Sequence, residues 1–470
     1  MSATGDVRRW LRRKRRHNTA ERLYTTLLAL VIGVPTLVSA AGGALRRLDA
    51  RHLAHAMPPA PSALLALGLL WYALCLAAAL RLGPVTSSAA TVTWLATSPL
   101  DRRRLLLPAA GWVLGAGALA GGLYGTVGAF GLALPAAPAV AFAAACAALG
   151  VTLAALLICV QTGAYARWGE FVIVLLVAAS AVVTVLRPAL PSDVDVPWLP
   201  FAVAAAICGA LAVWRLGRLR WLAFAGGTRL AATIAAGVVT LDPGLAARVF
   251  EEQRGAALHP RRTGFGTALG WRAVVRQDLL SAVRAPERWT VFAATAVVPA
   301  TAAQILGTGV VLAVVWLLCG VAGIAGAGAN IRRDHDQAAL PRLLGLRTGV
   351  LTAARAVVPV LVGTLWTVLS LALVDTRYLV WGVLAGPALA TGMMRAARRG
   401  RVRHEFPPIV TPAGLIPTGI LHWAIRGVDL AALLLAPTLV VLSGGSLPLL
   451  AQAAGSVVGL ALFLRRAARP

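Results

Sequence analysis

Asp334, His335 and Asp336 form the densest set of groups in this chain that could bind a divalent cation or move a proton. Two carboxylates flanking an imidazole suit either task. Alternating positions on a helix do not share a face, however. No second ligand cluster lies nearby in the sequence, so the trio lacks the further ligands of a metal centre. The other acidic residues, among them Glu21, Asp101, Glu170, Asp278 and Asp429, stand singly at loops or near the ends of apolar stretches. The five cysteines, Cys75, Cys146, Cys159, Cys208 and Cys319, all lie within apolar runs and form no CxxC pair. That usage reads as packing, not as redox or metal chemistry. Lys14 is the only lysine, set in an arginine run with no glycine-rich loop before it. A phosphate-cradling nucleotide loop is thereby excluded. Neither a catalytic set, a cofactor site nor a metal site is expected.

What remains is arginine, and its placement defines the elements. Clusters at 8–16, 102–104, 215–220, 332–333, 395–403 and 465–469 alternate with long stretches almost free of charge. The chain has 470 residues, 59% of them hydrophobic and only 13% charged, with mean hydropathy +0.78. Soluble proteins carry about 25% charged residues, so the apolar stretches are read as membrane spans. The net charge of +27 is not a nucleic-acid footprint. Such a footprint gathers basic residues on one folded face, whereas these sit at span ends, where they orient helices and meet anionic headgroups.

Stretches near the roughly 17–25 residues that cross a bilayer fall at 23–45, 63–80, 105–131, 137–160, 171–185, 199–213, 290–306, 308–327, 350–374, 378–394, 428–442 and 447–464. An all-α bundle of about twelve spans follows, with both termini cytoplasmic by the positive-inside rule. Loop 46–62, with Arg46, Arg47 and Arg51 outside, is the main departure. The first stretch is read as an uncleaved helix despite its basic leader. Trp198, Trp214, Trp221, Trp289, Trp381 and Trp423 lie at or near span ends, as interfacial anchors do. The glycine- and alanine-rich spans favour close helix packing. Gln161, Gln304 and Gln452 are expected to hydrogen-bond between helices. Arg355, near the start of its span, is expected to snorkel.

The chain also divides into two similar halves, residues 1–214 and 290–470, joined by a linker at 215–289. Glu21-Arg22 precedes the first span and Glu287-Arg288 the seventh, each after a basic stretch containing Trp. In the second of these, Trp271, Val274, Val275, Leu279 and Val283 share one helical face, with Arg272, Arg276 and Arg284 around the rest. An amphipathic helix on the cytoplasmic surface is expected there.

Two short segments carry a resemblance. Thr97-Ser98-Pro99-Leu100-Asp101-Arg102-Arg103-Arg104 leads into the third span, and Leu340-Pro341-Arg342 through Arg347 into its counterpart. With the stretch around Trp271, Asp278 and Arg284, they resemble the permease subunits of ABC-2-type exporters. That resemblance implies coupling loops at Pro99, Asp101, Arg102, Arg103, Arg104, Arg342 and Arg347. These would dock on a separate cytoplasmic ABC ATPase subunit, with an elbow helix at Trp271, Asp278 and Arg284. It further implies export, without enzymatic activity of its own, of a small-molecule, lipid or peptide substrate of unidentified structure. Two alternatives stand beside it: a membrane-embedded enzyme acting on lipid-linked substrates through Asp334 and Asp336, and a non-catalytic scaffold subunit.

Overall fold

The computed structural model describes residues 61–83, 85, 101–132, 134–162, 166–187, 197–219, 269–337, 345–400, 409–411, 414–416 and 418–467. The expected first span, the basic N-terminal tail, most of the linker, Pro99 and Arg342 lie outside these residues. In a bilayer every backbone polar group needs an internal partner, so long apolar runs become helices. The first half contains α1 (Pro61–Leu82), α2 (Arg102–Gly131), α3 (Ala136–Thr162), α4 (Ala166–Leu186) and α5 (Trp198–Arg215). Then follow the short α6 (Trp271–Val283), α7 (Pro286–Leu306), α8 (Val310–Ile324), α9 (Ala329–Asp336), α10 (Thr348–Val374) and α11 (Leu379–Ala397). A small antiparallel hairpin pairs Ile409–Thr411 with Gly414–Ile416. The described chain ends with α12 (Thr418–Ile425), α13 (Val428–Leu434), α14 (Ala436–Leu442) and α15 (Leu449–Ala467).

Ten of the described helices are long and apolar enough to cross a membrane, so the chain is a multi-pass membrane protein. Two expectations change. The eighth span does not end near residue 327. A 3₁₀ turn at Ala325–Gly328 carries it into α9, and the whole runs from Val310 to Asp336. Asp334 and Asp336 therefore ride on a span's end instead of a loop. The expected span at 428–442 is broken into α13 and α14, each of seven residues. Pro437 has no N–H for the carbonyl four residues earlier and interrupts the ladder. Gln452 of α15 bridges the break, donating from Nε2 to the Leu434 carbonyl (3.2 Å) and accepting from Thr438 Oγ1 (2.8 Å).

Helix packing follows the small residues. On α2, Gly117, Gly121 and Gly125 lie against Gly150, Cys146 and Ala143 of α3. A Cβ on Gly125 would come within 2.7 Å of the Ala143 Cα. The pair α10–α11 is built alike, with Gly363 against Gly386 and Ala390. Further packing joins α3 to α5 and α1 to α4, then α11 to α15 and α8 to α13 and α14. Buried Trp316 and Trp366 fill the second bundle's centre with ring centroids 5.7 Å apart. Their indole N–H groups donate to Ser370 Oγ (3.0 Å) and Thr295 Oγ1 (3.1 Å). The bundles meet at α7, which packs on α1 and α4 as well as α8 and α10. There Val297 joins Leu70, Ala73 and Val177, and Gln304 Nε2 donates to the Thr184 carbonyl at 2.9 Å. Gln161 likewise holds both backbone groups of Val85. Gln304 and Gln452 thus bond between helices as expected, whereas Gln161 bonds to the bend at Val85 after α1 and not to another helix.

Candidate functional site: an ion-pair junction under the amphipathic helix

The expected amphipathic helix is present as α6, one turn of chain before α7. Pro286 opens α7, where its missing N–H costs nothing. Trp289 of α7 donates back to the Ala282 carbonyl at 3.1 Å, closing the corner. The buried line of α6 is Val274, Asp278 and Ala282, successive turns of one face. Val274 packs with Leu351 and Ala354 at the start of α10. Trp271, Leu279 and Val283 are about half exposed and face away from the bundle. The single apolar face expected from the sequence is therefore split: Val274 turns inward with Asp278 while the bulkier residues look outward. An acidic residue in the middle of a buried strip needs a cation.

That cation is Arg355, which is buried and does not snorkel. Arg355 Nη1 donates to Asp278 Oδ1. Its Nε and Nη2 donate to Asp334 Oδ2 (2.8 Å) and Oδ1 (3.2 Å), a two-point grip. Asn330 Nδ2 donates to Asp278 Oδ1 at 2.7 Å and to Ser281 Oγ at 3.3 Å. Three elements are joined: α6, the end of the α8–α9 span, and α10. Burial pushes the Asp278 carboxyl above its ordinary value, while Arg355 and Asn330 draw it back. Arg398, whose guanidinium lies over the Phe463 ring, donates to Thr352 Oγ1 at 3.4 Å. Burial lowers its pKa, and nearby Asp334 opposes that shift.

The junction sits at the base of the second expected coupling loop. Residue 337 leaves α9 three positions after Asp334, and the chain re-enters α10 two turns before Arg355. Arg347, at the mouth of α10, is exposed. In the first expected loop Asp101 caps α2, accepting from the Arg103 amide at 3.1 Å. Its carboxylate also pairs with exposed Arg104 at 3.2 Å. Arg102 is the first residue of α2, and Arg103 points to solvent. Trp271 opens α6 with Arg272 over its ring, and Arg284 ends the helix exposed.

Of the possible metal or acid–base trio, Asp334 has both oxygens engaged by Arg355, while His335 and Asp336 are exposed. Among the described residues no group of three His, Cys, Asp or Glu side chains could hold a metal ion. The sequence did carry a sign of the junction. An arginine two turns inside an apolar helix is costly unless paired, and Asp278 at the centre of an amphipathic face was an available partner. Nothing in the sequence alone, however, brings residues 278, 334 and 355 to one point.

No curated protein and no solved structure matches the chain. A family match covers residues 54–407, which takes in α1 to α11 and every residue of the junction. That stretch is about three quarters of the chain, and the protein belongs to the family of unknown function DUF6297.

Proposed function

We propose that this protein is the membrane permease of an ABC-2-type exporter. In this reading it comprises two parallel units of roughly six spans each, with both termini cytoplasmic in the plasma membrane. A separate cytoplasmic ATPase drives it to move an amphipathic or lipidic substrate. The duplication is supported by matching contacts. Gly117 meets the Gly150 carbonyl and Ala154 as Gly363 meets the Gly386 carbonyl and Ala390. Counting back equally from Gly117 and Gly363 reaches Arg102 and Thr348, the first residue of each helix. The residues just before them, Asp101 and Arg347, are both among those assigned to coupling.

The observation that carries the proposal is the junction. A push on the short loop between α9 and α10 meets a base clamped by Arg355, Asp334 and Asp278, so it passes to two spans and the elbow together. The enzymatic alternative has less support, because Asp334 is already committed to Arg355. The test is co-purification of the tagged protein with an ATPase encoded beside it. Arg103→Glu with Arg104→Glu and Arg347→Glu is expected to abolish association while membrane insertion persists. Association undiminished by all three reversals would refute the proposal.

A further inference from the structure

The three elements joined at Arg355 share a second property: each has its helical ladder broken between the junction and the membrane. On the α8–α9 span the break is the 3₁₀ turn Ala325–Gly328, which precedes Asp334. A 3₁₀ stretch inside a longer helix has poorer hydrogen-bond geometry and often marks a hinge. A Cβ on Gly326 in this turn would stop 3.0 Å from the Arg288 Cδ, part of a long side chain and not backbone. On α10 the break is Pro359, one turn beyond Arg355. Proline has no N–H, so the Arg355 carbonyl loses its usual donor. On α6 the break is the corner at Arg284 and Ala285, where the helix gives way before Pro286 opens α7. The bond from Trp289 to the Ala282 carbonyl bridges that corner.

Beyond these breaks the helix ends are tied to one another by charge-assisted bonds. Their described contacts with the helices behind them are softer. Gly328 meets the adaptable Met393 side chain of α11, and Arg398 reaches Thr352 at 3.4 Å, the long end of hydrogen bonding. Two cavities, of about 350 and 330 Å³, also lie on this side of α9. One faces Met393 and Ala396 of α11 and Trp423 of α12, and the other faces Met394 of α11 and Phe463 of α15.

We propose that the junction is the centre of a rigid module, α6 with α9 and the first two turns of α10, which swings as one body about the three breaks. The ionic lock keeps the helix ends together. The Ala325–Gly328 turn, Pro359 and the corner at Arg284 and Ala285 take up the change of angle, as hinges do. Asp334 stands about 9 Å along the helix axis from Gly328, so a tilt of about 10° at the turn moves it by about 1.5 Å. Helix shifts of that size are the common scale of switching transitions. The inference rests on the junction and not on the exporter reading, since a swinging module requires no ATPase.

The test measures distances between paired spin labels on the full-length protein in lipid nanodiscs, its five cysteines replaced by alanine. Labels stand at the exposed positions Arg276 of α6, His335 of α9 and Arg465 of α15; α15 packs on α11 and serves as the fixed reference. The pair at 276 and 335 lies within the module and should give one narrow distribution. The pair at 335 and 465 runs from the module to the reference and should give a broad one. Gly326→Ala with Pro359→Ala rebuilds two of the ladders, and should narrow the second distribution without changing the first. Arg355→Met removes the lock and should instead broaden the first. Hydrogen exchange of the wild-type chain gives a reading without labels and decides the matter if the cysteine-free protein fails to fold. Protection should fall at 325–329 and recover at 330–335, whereas a fraying span end loses it steadily toward Asp336. The proposal is overturned by a 335–465 distribution as narrow as that of 276–335 or unmoved by the Gly326 and Pro359 changes, by a 276–335 distribution that survives Arg355→Met, or by steady loss of protection toward Asp336. Each of these would leave the exporter reading intact, because that reading stands or falls on association with the ATPase.

Discussion

Replacing Arg355 with Met removes the shared cation of the junction while nearly keeping its apolar volume. Asp278 then faces Asp334 without its cation, while Asp334 keeps only the neighbouring charge of Arg398. Their exposure decides which one suffers: the Asp278 side chain is 6% exposed and that of Asp334 16%. Asp334 can hydrate at modest cost, whereas Asp278 cannot. Breaking a buried pair by removing one partner costs about 3–5 kcal/mol. The lower end applies here, because Asp278 can take up a proton when its cation is gone. About 3 kcal/mol is roughly a hundredfold in the opening of the elbow. The sign of its pH dependence follows. Burial already holds this carboxyl above 3.8, and loss of Arg355 raises it further. A carboxyl raised in the folded state stabilises below its unfolded pKa, and that contribution is lost as pH rises through the folded value. The deficit of Arg355→Met should therefore be largest in alkali and shrink on acidification. Hydrogen exchange of the 271–283 peptide, variant against wild type at each pH, measures it. Adding Asp278→Leu and Asp334→Asn should restore most of the protection, since replacing a whole buried ionic cluster is often neutral. An Arg355→Met variant with wild-type exchange in α6, or with a pH-independent deficit, would refute the clamp.

Other outcomes follow from the same contacts. Asp278→Asn should flatten the pH dependence of the unfolding midpoint above 3.8, read by denaturant titration in detergent; an unchanged slope would mean that Asp278 does not supply it. Gly121→Leu, whose Cβ would meet the Cys146 carbonyl, should cost about 1–3 kcal/mol by overpacking, seen as a lower melting temperature, with Gly115→Leu, which faces open space, as the neutral control. Gln304→Leu removes the bond to the Thr184 carbonyl between the bundles and should cost about 0.5–1.5 kcal/mol, read by whether proteolytic halves still co-elute. Gln452→Leu leaves the Leu434 carbonyl and Thr438 without their bridge and should speed exchange across the α13–α14 break without altering α10.

Spans such as α3 and α10 were legible because hydropathy and length alone specify a helix in lipid. Gln161, Gln304 and Gln452 were legible for a related reason, since an amide in an apolar helix must find a partner. The break at Leu435 was missed because a proline within a hydrophobic run is compatible with a kinked span as well as with an interrupted one. The continuation of α8 into α9 was missed because Arg332, Arg333 and Asp334 look like loop residues by composition. There Asp334 meets Arg355 and Asn330 meets Asp278, tertiary contacts that composition does not record. Arg355 itself was read as snorkelling, the usual fate of an arginine near a span end. Local sequence contains no record of the distant carboxylates that hold it instead.

The two proposed halves differ at this position, and the difference bears on why Arg355 is there. In the register set by Gly117 and Gly363, Arg355 corresponds to Ala109. Ala109 packs beside Leu106 and Ala110 in the apolar cluster of the first bundle. If Arg355 served only to orient its span, a charge at the mouth of the helix would do, and Arg102, Arg103 and Arg104 stand there in α2. Its burial two turns inside α10 instead answers the carboxylates of α6 and α9. Orientation favours a charge in water, whereas clamping requires one out of it. The 8% exposure of Arg355 decides between these roles in favour of the clamp. Helix α6 is thus fixed to α9 and α10 by an ionic lock, and in the register of the proposed repeat α2 carries Ala109, not a cation, at the matching turn.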